Sequence, residues 1–502
     1  MKLMPWLVDD TIVCNSTVQS IASVGLLSAF ILIVLWLKTY HRIASCSRSL
    51  KLGSNLSSED AQGSDVQPRI SVILPVKGVH ARTRDHWHSQ VSSTLGGKME
   101  FIFVMESEED PAYEAASTFK KSMEGSVSIK VVVAGLSYYS SQKIHNLLVG
   151  VAQCSSDSEY VLLLDDDAEM SSAILRDLVA CLRNDPRVLV ASGWPHEYVA
   201  PDCPRVSCAG YMLLGYRLLS YLGIASEHTK VLWGGCLLLR RADLVSPKVG
   251  ILEAWRNSGY SDDMIVGGRA HRLGMFISIP PKAILPARLD PSYSVARHWN
   301  YVRRQMFVLD TYADKHDRNV NLFLLVVVSI GGLVFSCLNM QVFAVFSFLS
   351  LVCRLAYPEA RSAMVERLST QWSNSPACGL VYAPPEALLL VSIFMCTCAF
   401  LCGLLAASGI TGMCEKVSAR PKSYTHRLNP LVYAVGTFLG LAAQCIMQAS
   451  AACIALISNR VVWSGVHYVK KGGKVHEVWR TDSAGRLHTV PWHKSLEIHQ
   501  KL

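Results

Sequence analysis

Three consecutive carboxylates, Asp165-Asp166-Asp167, close an apolar run of Tyr160, Val161, Leu162, Leu163 and Leu164. Such a run reads as a buried strand, and the aspartates mark where it meets water. On an extended chain alternate side chains share a side, so Asp165 and Asp167 are expected to point together and Asp166 away. Two carboxylates so placed suit a hard divalent cation, Mg2+ or Mn2+, which in turn would hold a diphosphate. Taken alone, the triplet reads equally well as a solvated acidic turn. A second acidic pair, Asp262-Asp263, leads into a helical stretch through Gly268 and Arg269. Helix capping would occupy one of the two. The pair would also supply a general base, because a carboxylate committed to a metal cannot readily take a proton from an incoming hydroxyl. Farther on, Arg297, Tyr301 and Arg304 fall at i, i+4 and i+7 and share one face of a helix. An arginine fork there would grip a diphosphate, and a basic collar beside a membrane is the competing reading.

The elements that must position these groups follow from the spacing of apolar residues. Between residues 69 and 315, strands alternate with helical segments, the pattern of an α/β domain. Ile70 to Lys77 and Phe101 to Glu106 read as strands; the second ends in the acidic stretch Glu106 to Asp110, and Pro111 is placed to open a helix. Ile129 to Val133 gives a third strand, and Gln142 begins a helix. Ser171 or Ser172 caps a helix running from Ala173 to Leu182. In open α/β sheets ligands collect at the carboxyl ends of strands, and two strands deliver carboxylates to that edge. Val231 to Leu239 reads as a glycine-rich strand in which Gly234-Gly235 marks a bulge or the close approach of another group.

Composition adds a membrane. Half of the 502 residues are hydrophobic and the formal net charge is +9, while the mean hydropathy is +0.26. The charge suits a cytoplasmic membrane face or an anionic substrate, and no nucleic-acid partner is expected. The 16 cysteines are scattered, several within apolar runs, and read as reduced thiols. Val18 to Leu37 is long enough to cross a bilayer, and the basic residues that follow it put the next region in the cytoplasm. The expected layout is a lumenal N-terminus over 1–17, a transmembrane helix over 18–37, a linker over 38–68, a cytosolic domain over 69–315, a membrane region over 319–457 and a basic, aromatic tail over 458–502. Within the membrane region, Leu322 to Val352, Glu386 to Ile410 and Leu431 to Ile457 are the apolar candidates. The basic loop Glu415 to Arg427 and the tail both favour the cytoplasm, so one apolar segment is expected to be a hairpin, re-entrant or interfacial. Trp463, Tyr468 and Trp479 point to an ordered tail at the membrane surface.

In order along the chain, Ile70-Ser-Val-Ile-Leu-Pro-Val-Lys-Gly, Glu106-Ser-Glu-Glu-Asp-Pro, Gln142-Lys-Ile-His-Asn, Asp165-Asp-Asp, Gly234-Gly-Cys, Ser261-Asp-Asp and Tyr301-Val-Arg-Arg-Gln resemble the ceramide glucosyltransferases of the family 2-like and family 21 group, over roughly residues 18 to 315. The resemblance implies a glycosyltransferase-A-like α/β domain on the cytosolic face of the Golgi or endoplasmic reticulum. It implies transfer of glucose from UDP-glucose to the primary hydroxyl of ceramide, with inversion and with a divalent cation. By motif, Glu106, Asp110, Lys143, Asp165 and Asp166 would bind the donor, and Asp165 and Asp167 would hold the metal. Asp263 would be the base, and Asp262, Tyr301, Arg303, Arg304 and Gln305 would serve the diphosphate and acceptor side. The family's closing motif, Gln or Arg, two residues, then Arg-Trp, is matched here only at Arg304. Another lipid or polysaccharide acceptor is the alternative, and a non-catalytic nucleotide-binding membrane protein is a third.

Overall fold

The computed structural model describes residues 16–53, 68–95, 98–200, 203, 205–312, 315–326, 329, 385–417, 429–481 and 485–489. Residues 54–67 of the expected linker, the greater part of Leu322 to Val352 and the basic loop beyond residue 417 lie outside them, and the linker's first part, 38–53, is helical. After helix α1 (Ser16–Gly53) come β1 (Ile70–Pro75), α2 (Thr83–Val91), β2 (Met99–Met105), α3 (Pro111–Ser122), β3 (Ser128–Val133), α4 (Gln142–Ala152), β4 (Tyr160–Leu164) and α5 (Ser172–Asn184). The chain continues through β5 (Val188–Ser192), β6 (Trp194–Tyr198), α6 (Cys208–Ser220), β7 (His228–Thr229), β8 (Cys236–Arg240), α7 (Arg241–Val245), α8 (Ile251–Arg256), α9 (Asp262–Arg272), β9 (Phe276–Ser278), β10 (Ile284–Arg288) and α10 (Val295–Leu309). Helices α11 (Lys315–Val326), α12 (Pro385–Val417) and α13 (Pro430–Ile457) precede four further strands, β11 (Arg460–Trp463), β12 (Val466–Lys471), β13 (Lys474–Thr481) and β14 (Leu487–His488).

The main sheet has the order β3-β2-β1-β4-β8-β5-β9-β7. Strands β1 to β4 run parallel, and β8 lies antiparallel between β4 and β5. A parallel sheet must be covered on both faces, and strict alternation accomplishes this. On β4, Tyr160, Leu162 and Leu164 join one core with Trp87, Phe119, Ile174 and Leu178. Val161 and Leu163 join the other, with Ile144, Leu147, Trp255 and Val266. The order reverses at β1, whose neighbours β2 and β4 carry the next carboxylates on either side. A ligand crevice is expected at the carboxyl ends of those strands.

The glycine pair departs from expectation. The strand starts only at Cys236, and Gly234-Gly235 lies in the preceding turn. A Cβ on Gly234 would stand 3.0 Å from Asp263 Oδ2, so the close approach is that of an acidic side chain.

Among the described residues three helices are long and apolar enough to cross a membrane, with spans at Ala29–Ser49, Thr397–Val417 and Pro430–Ile457. Polar groups of α1 reach the domain: Trp36 Nε1 donates to Leu218 O at 2.9 Å, and Arg42 donates to Ile224 O at 2.8 Å and Ile279 O at 2.7 Å. Helix α12 packs along α1, where Gly403 and Gly409 admit the Trp36 and Tyr40 rings. Its last carbonyl, on Val417, accepts from Ser171 Oγ of the domain at 2.5 Å. Helix α13 buries one stripe of Thr437, Leu441, Gln444, Gln448, Ala451 and Ala455. That stripe meets α6 and α10: Gly440 lies against the Tyr211 backbone, and Gln444 Oε1 meets His298 Nε2 at 2.6 Å.

The tail strands form a four-stranded sheet in the order β11-β12-β13-β14. Its core of Val461, Val466, Tyr468, Val475 and Val478 closes on Tyr260 and Phe307 of the domain. Of the tail's aromatic residues, Tyr468 and Trp463 order it against the domain.

Candidate active site

The aspartate triplet begins where β4 ends. Asp165 still pairs with the neighbouring strand, its N–H donating to Gly235 O at 2.9 Å. The chain then turns, with Ala168 N donating to Asp165 O at 3.2 Å. The alternation expected for Asp165, Asp166 and Asp167 therefore fails: it belongs to extended chain, and the strand stops at Leu164. Gln90, fully buried on α2, pins the turn by donating to Asp165 O at 3.0 Å and Ala168 O at 2.8 Å. Nothing in the sequence distinguished this glutamine.

Lys143 joins the two acidic groups. Its Nζ lies 2.8 Å from Asp165 Oδ1 and 3.3 Å from Asp262 Oδ2, and it donates to Gly234 O at 3.0 Å. The ammonium pairs with Asp165 and the Gly234 carbonyl, while buried Asp262 Oδ2 stands near it as an ion-pair partner with no hydrogen bond of its own. Lys143 thus bridges the end of β4, the start of α9 and the glycine turn. Despite burial, the charges of Asp165 and Asp262 raise its pKa. Lys143→Met should strand two carboxylates and lower stability by about 3 kcal/mol, read as a fall in melting temperature in detergent.

Asp262 is buried in the first turn of α9, and the cap position belongs to Ser261, whose side chain makes no capping bond. Asp263 is half-buried. Its Oδ1 accepts from Ser261 Oγ and from Met264 N at 2.7 Å, and its Oδ2 accepts from Gly234 N at 3.1 Å. A carboxylate offers about four acceptor positions, so three donors fix the group and leave one lone pair on Oδ2. Gly234→Ala would press on that oxygen. We expect transfer to fall roughly 10- to 100-fold from misplacement of the carboxylate, with an unchanged melting temperature; a kcat measurement beside a thermal melt checks it.

The electrostatics are unbalanced. Asp165, Asp166, Asp167, Asp262 and Asp263 share the region with Lys143 and Arg304. Burial raises the pKa of Asp166, and the charges of Asp167 and Asp165 raise it further. Asp167 is raised by the same causes, burial first and then Asp165, against the lowering pull of Lys143 and Arg304. It is nevertheless exposed, so the triplet opens to solvent. For Asp262, burial outweighs the attraction of Lys143. Among the described residues no three His, Cys, Asp or Glu side chains converge as a ready-made metal site.

At the end of β2, Glu106 pairs with Lys77 and, at 3.0 Å, with Arg480 Nη1 of the tail. Burial raises the pKa of Glu106, but the hydrogen bond from Lys77 and the charge of Arg480 bring it below the usual carboxylate value. Asp110 is buried and committed to the backbone: its Oδ1 accepts from Ala112 N at 2.9 Å as the cap of α3 and from Gly78 N at 2.8 Å. Both face Lys77, which lies 4.0 Å from Asp110 Oδ2, and Glu106 is the one that also pairs with Arg480 of the tail.

The basic helix α10 divides its residues. Arg304 lies 4.9 Å from the Trp463 ring centroid and 5.9 Å from that of Tyr301. Arg297, expected on the same face, is exposed and pairs with Asp290 at 2.7 Å. Arg303 lines a separate small cavity with Phe307, Ala451 and Arg460, and Gln305 is half-buried on the same helix. Lys77, Gln142, Trp463, Tyr468 and Arg480 were not expected here; only the clustering of aromatics in the tail hinted that it had an ordered place.

The model of Glycosyl transferase family 21 matches residues 28–374. The protein is a glycosyltransferase with a glycosyltransferase-A-like α/β domain and membrane-length helices. It belongs to family 21. No curated protein matches the chain. Among solved structures it is similar to a mannosyltransferase from Pyrobaculum calidifontis in complex with GDP-Man and Mn2+. That likeness covers 88% of this chain and 97% of the other, with 14% identity and a TM-score of 0.41. A second is GalNAc-T7 with UDP, GalNAc and Mn2+, covering 47% and 48%, with 14% identity and a TM-score of 0.32. Both scores fall below 0.5, so the family match carries the assignment.

Proposed function

We propose that this protein is a membrane-bound inverting glycosyltransferase that moves glucose from UDP-glucose to the primary hydroxyl of ceramide, giving glucosylceramide. The observation that carries the reading is the bridge through Lys143, which joins Asp165 of the acidic turn to Asp262, the residue before the fixed carboxylate of Asp263, in a family 21 chain. Inversion by direct displacement needs a base for the acceptor hydroxyl and a stabilised diphosphate on the far side of the sugar. Asp263 is the base in this reading. Arg304 meets the diphosphate, and Glu106 with Lys77 borders the uridine.

The acidic turn suits a divalent cation, Mg2+ or Mn2+, because five carboxylates facing two cations leave negative charge that such an ion would neutralise. Asp165, through its Oδ2, and Asp167 would hold it. When bound, it would offset the charge of the departing diphosphate. Membrane helices fit an acceptor that water does not carry, and the lengthwise packing of α13 on α6 and α10 supports an interfacial position for that helix. A catalytic domain on the cytosolic face of the Golgi or endoplasmic reticulum accords with the basic residues after the first apolar stretch.

The test is an assay of membranes carrying this chain with labelled UDP-sugars and ceramide. Labelled glucosylceramide is the expected product. Product only with a different lipid or a polysaccharide moves the assignment to another acceptor, and no sugar transfer to any acceptor refutes the enzymatic reading.

A further inference from the structure

The C-terminal sheet meets the candidate site at three separate points. On β13, Arg480 Nη1 donates to Glu106 Oε2 at 3.0 Å while its Nη2 donates to Gln142 Oε1. On β12, the Tyr468 hydroxyl accepts from Gln142 N at 3.1 Å. On β11, the Trp463 ring lies 4.9 Å from the Arg304 guanidinium carbon and 6.1 Å from the ring of Tyr260, two residues before Asp262. Arg480, Lys77 and Lys143 each have a carboxylate partner. Among the described residues Arg304 forms no ion pair; the rings of Tyr301 and Trp463 flank its guanidinium, and its charge acts on Asp167 from beyond ion-pair range. That difference is chemical. A carboxylate would neutralise the guanidinium and occupy its donors, whereas a ring face holds the plane of the group and leaves its five N–H donors for an anion.

We propose that Trp463 is a positioning residue of the transfer reaction: it holds the Arg304 guanidinium toward the aspartate triplet, so that the C-terminal sheet forms one wall of the donor site. The proposal rests on the reading that Arg304 meets the donor's diphosphate. A free arginine side chain samples many rotamers, and a stacked one has already lost that freedom before an anion arrives.

The experiment uses the full-length protein in detergent, measuring the affinity for UDP with Mn2+ by calorimetry and the kinetics of transfer. Trp463→Ala should weaken UDP binding and lower kcat by about 3- to 30-fold, the range a cation–π contact supports. Trp463→Phe should restore most of both, and Trp463→Leu, similar in bulk and without a ring face, should not. In an Arg304→Ala background, Trp463→Ala should add nothing further. Equal behaviour of the Phe and Leu variants, or a full additional loss in the Arg304→Ala background, overturns the proposal. If Trp463→Ala fails to fold, the Phe and Leu pair decides. Wild-type protein that binds UDP and transfers nothing to ceramide refutes the acceptor assignment, and the affinity comparison still decides the role of Trp463. Wild-type protein that binds no UDP overturns both.

Discussion

Asp263→Asn should lower kcat by about 10²- to 10⁴-fold, the range that loss of a general base produces, and should leave UDP affinity nearly unchanged. The change is close to isosteric, and the group it alters lies on α9 and not on the acidic turn. Its effect therefore separates proton removal from donor binding. Gly234 N, Met264 N and Ser261 Oγ all donate to the native carboxylate. An amide has one oxygen, so one of these donors would face an NH2 group, and a modest fall in melting temperature is expected as well. Single-turnover transfer of labelled glucose with a bound UDP-sugar, compared between wild type and variant, reads the chemical step directly. Equal rates would remove Asp263 from catalysis. A loss of UDP affinity as large as the loss of rate would place it on the donor instead.

The sheet was legible in the sequence because burial on both faces writes itself as short apolar runs. Ile70 to Lys77, Phe101 to Glu106 and Ile129 to Val133 each overlap an observed strand, and the carboxylates fall at the strand ends as the fold class predicts. Two parts of the candidate site were not legible, for different physical reasons. The pointing of Asp165, Asp166 and Asp167 was inferred from strand geometry, and a turn held by Gln90 of α2 replaces that geometry one residue too soon. Local pattern cannot reveal such a distant side-chain hydrogen bond. The contribution of the tail is more remote still, since Arg480 and Glu106 are 374 residues apart. In the sequence Arg480 is one basic residue among many, and only folding makes it the partner of a specific carboxylate. Lys143 shows the converse: its position was singled out in the sequence, and folding supplies the carboxylates and the backbone carbonyl that it bridges.

Asp167→Ala should abolish transfer and metal-dependent UDP binding together, while the protein melts in metal-free buffer at the wild-type temperature or above it. The two halves of that result have one cause. Five carboxylates share the region with two cations, so an ionised Asp167 is held against like charge, and its removal relieves repulsion. The turn itself survives, because backbone hydrogen bonding between Ala168 and Asp165 and the Gln90 amide secure it without the Asp167 side chain. A residue that weakens the empty fold and is needed for the loaded one is a binding residue. Lys143→Met should behave in the opposite way and lower stability from the start, because Lys143 supplies charge that the cluster lacks. Thermal melts with EDTA, then with Mn2+ and UDP, distinguish the cases: wild type should gain stability on loading, and Asp167→Ala should not. Retention of metal-dependent UDP binding by Asp167→Ala would take Asp167 out of the metal site and leave Asp165 and Asp166 to account for it.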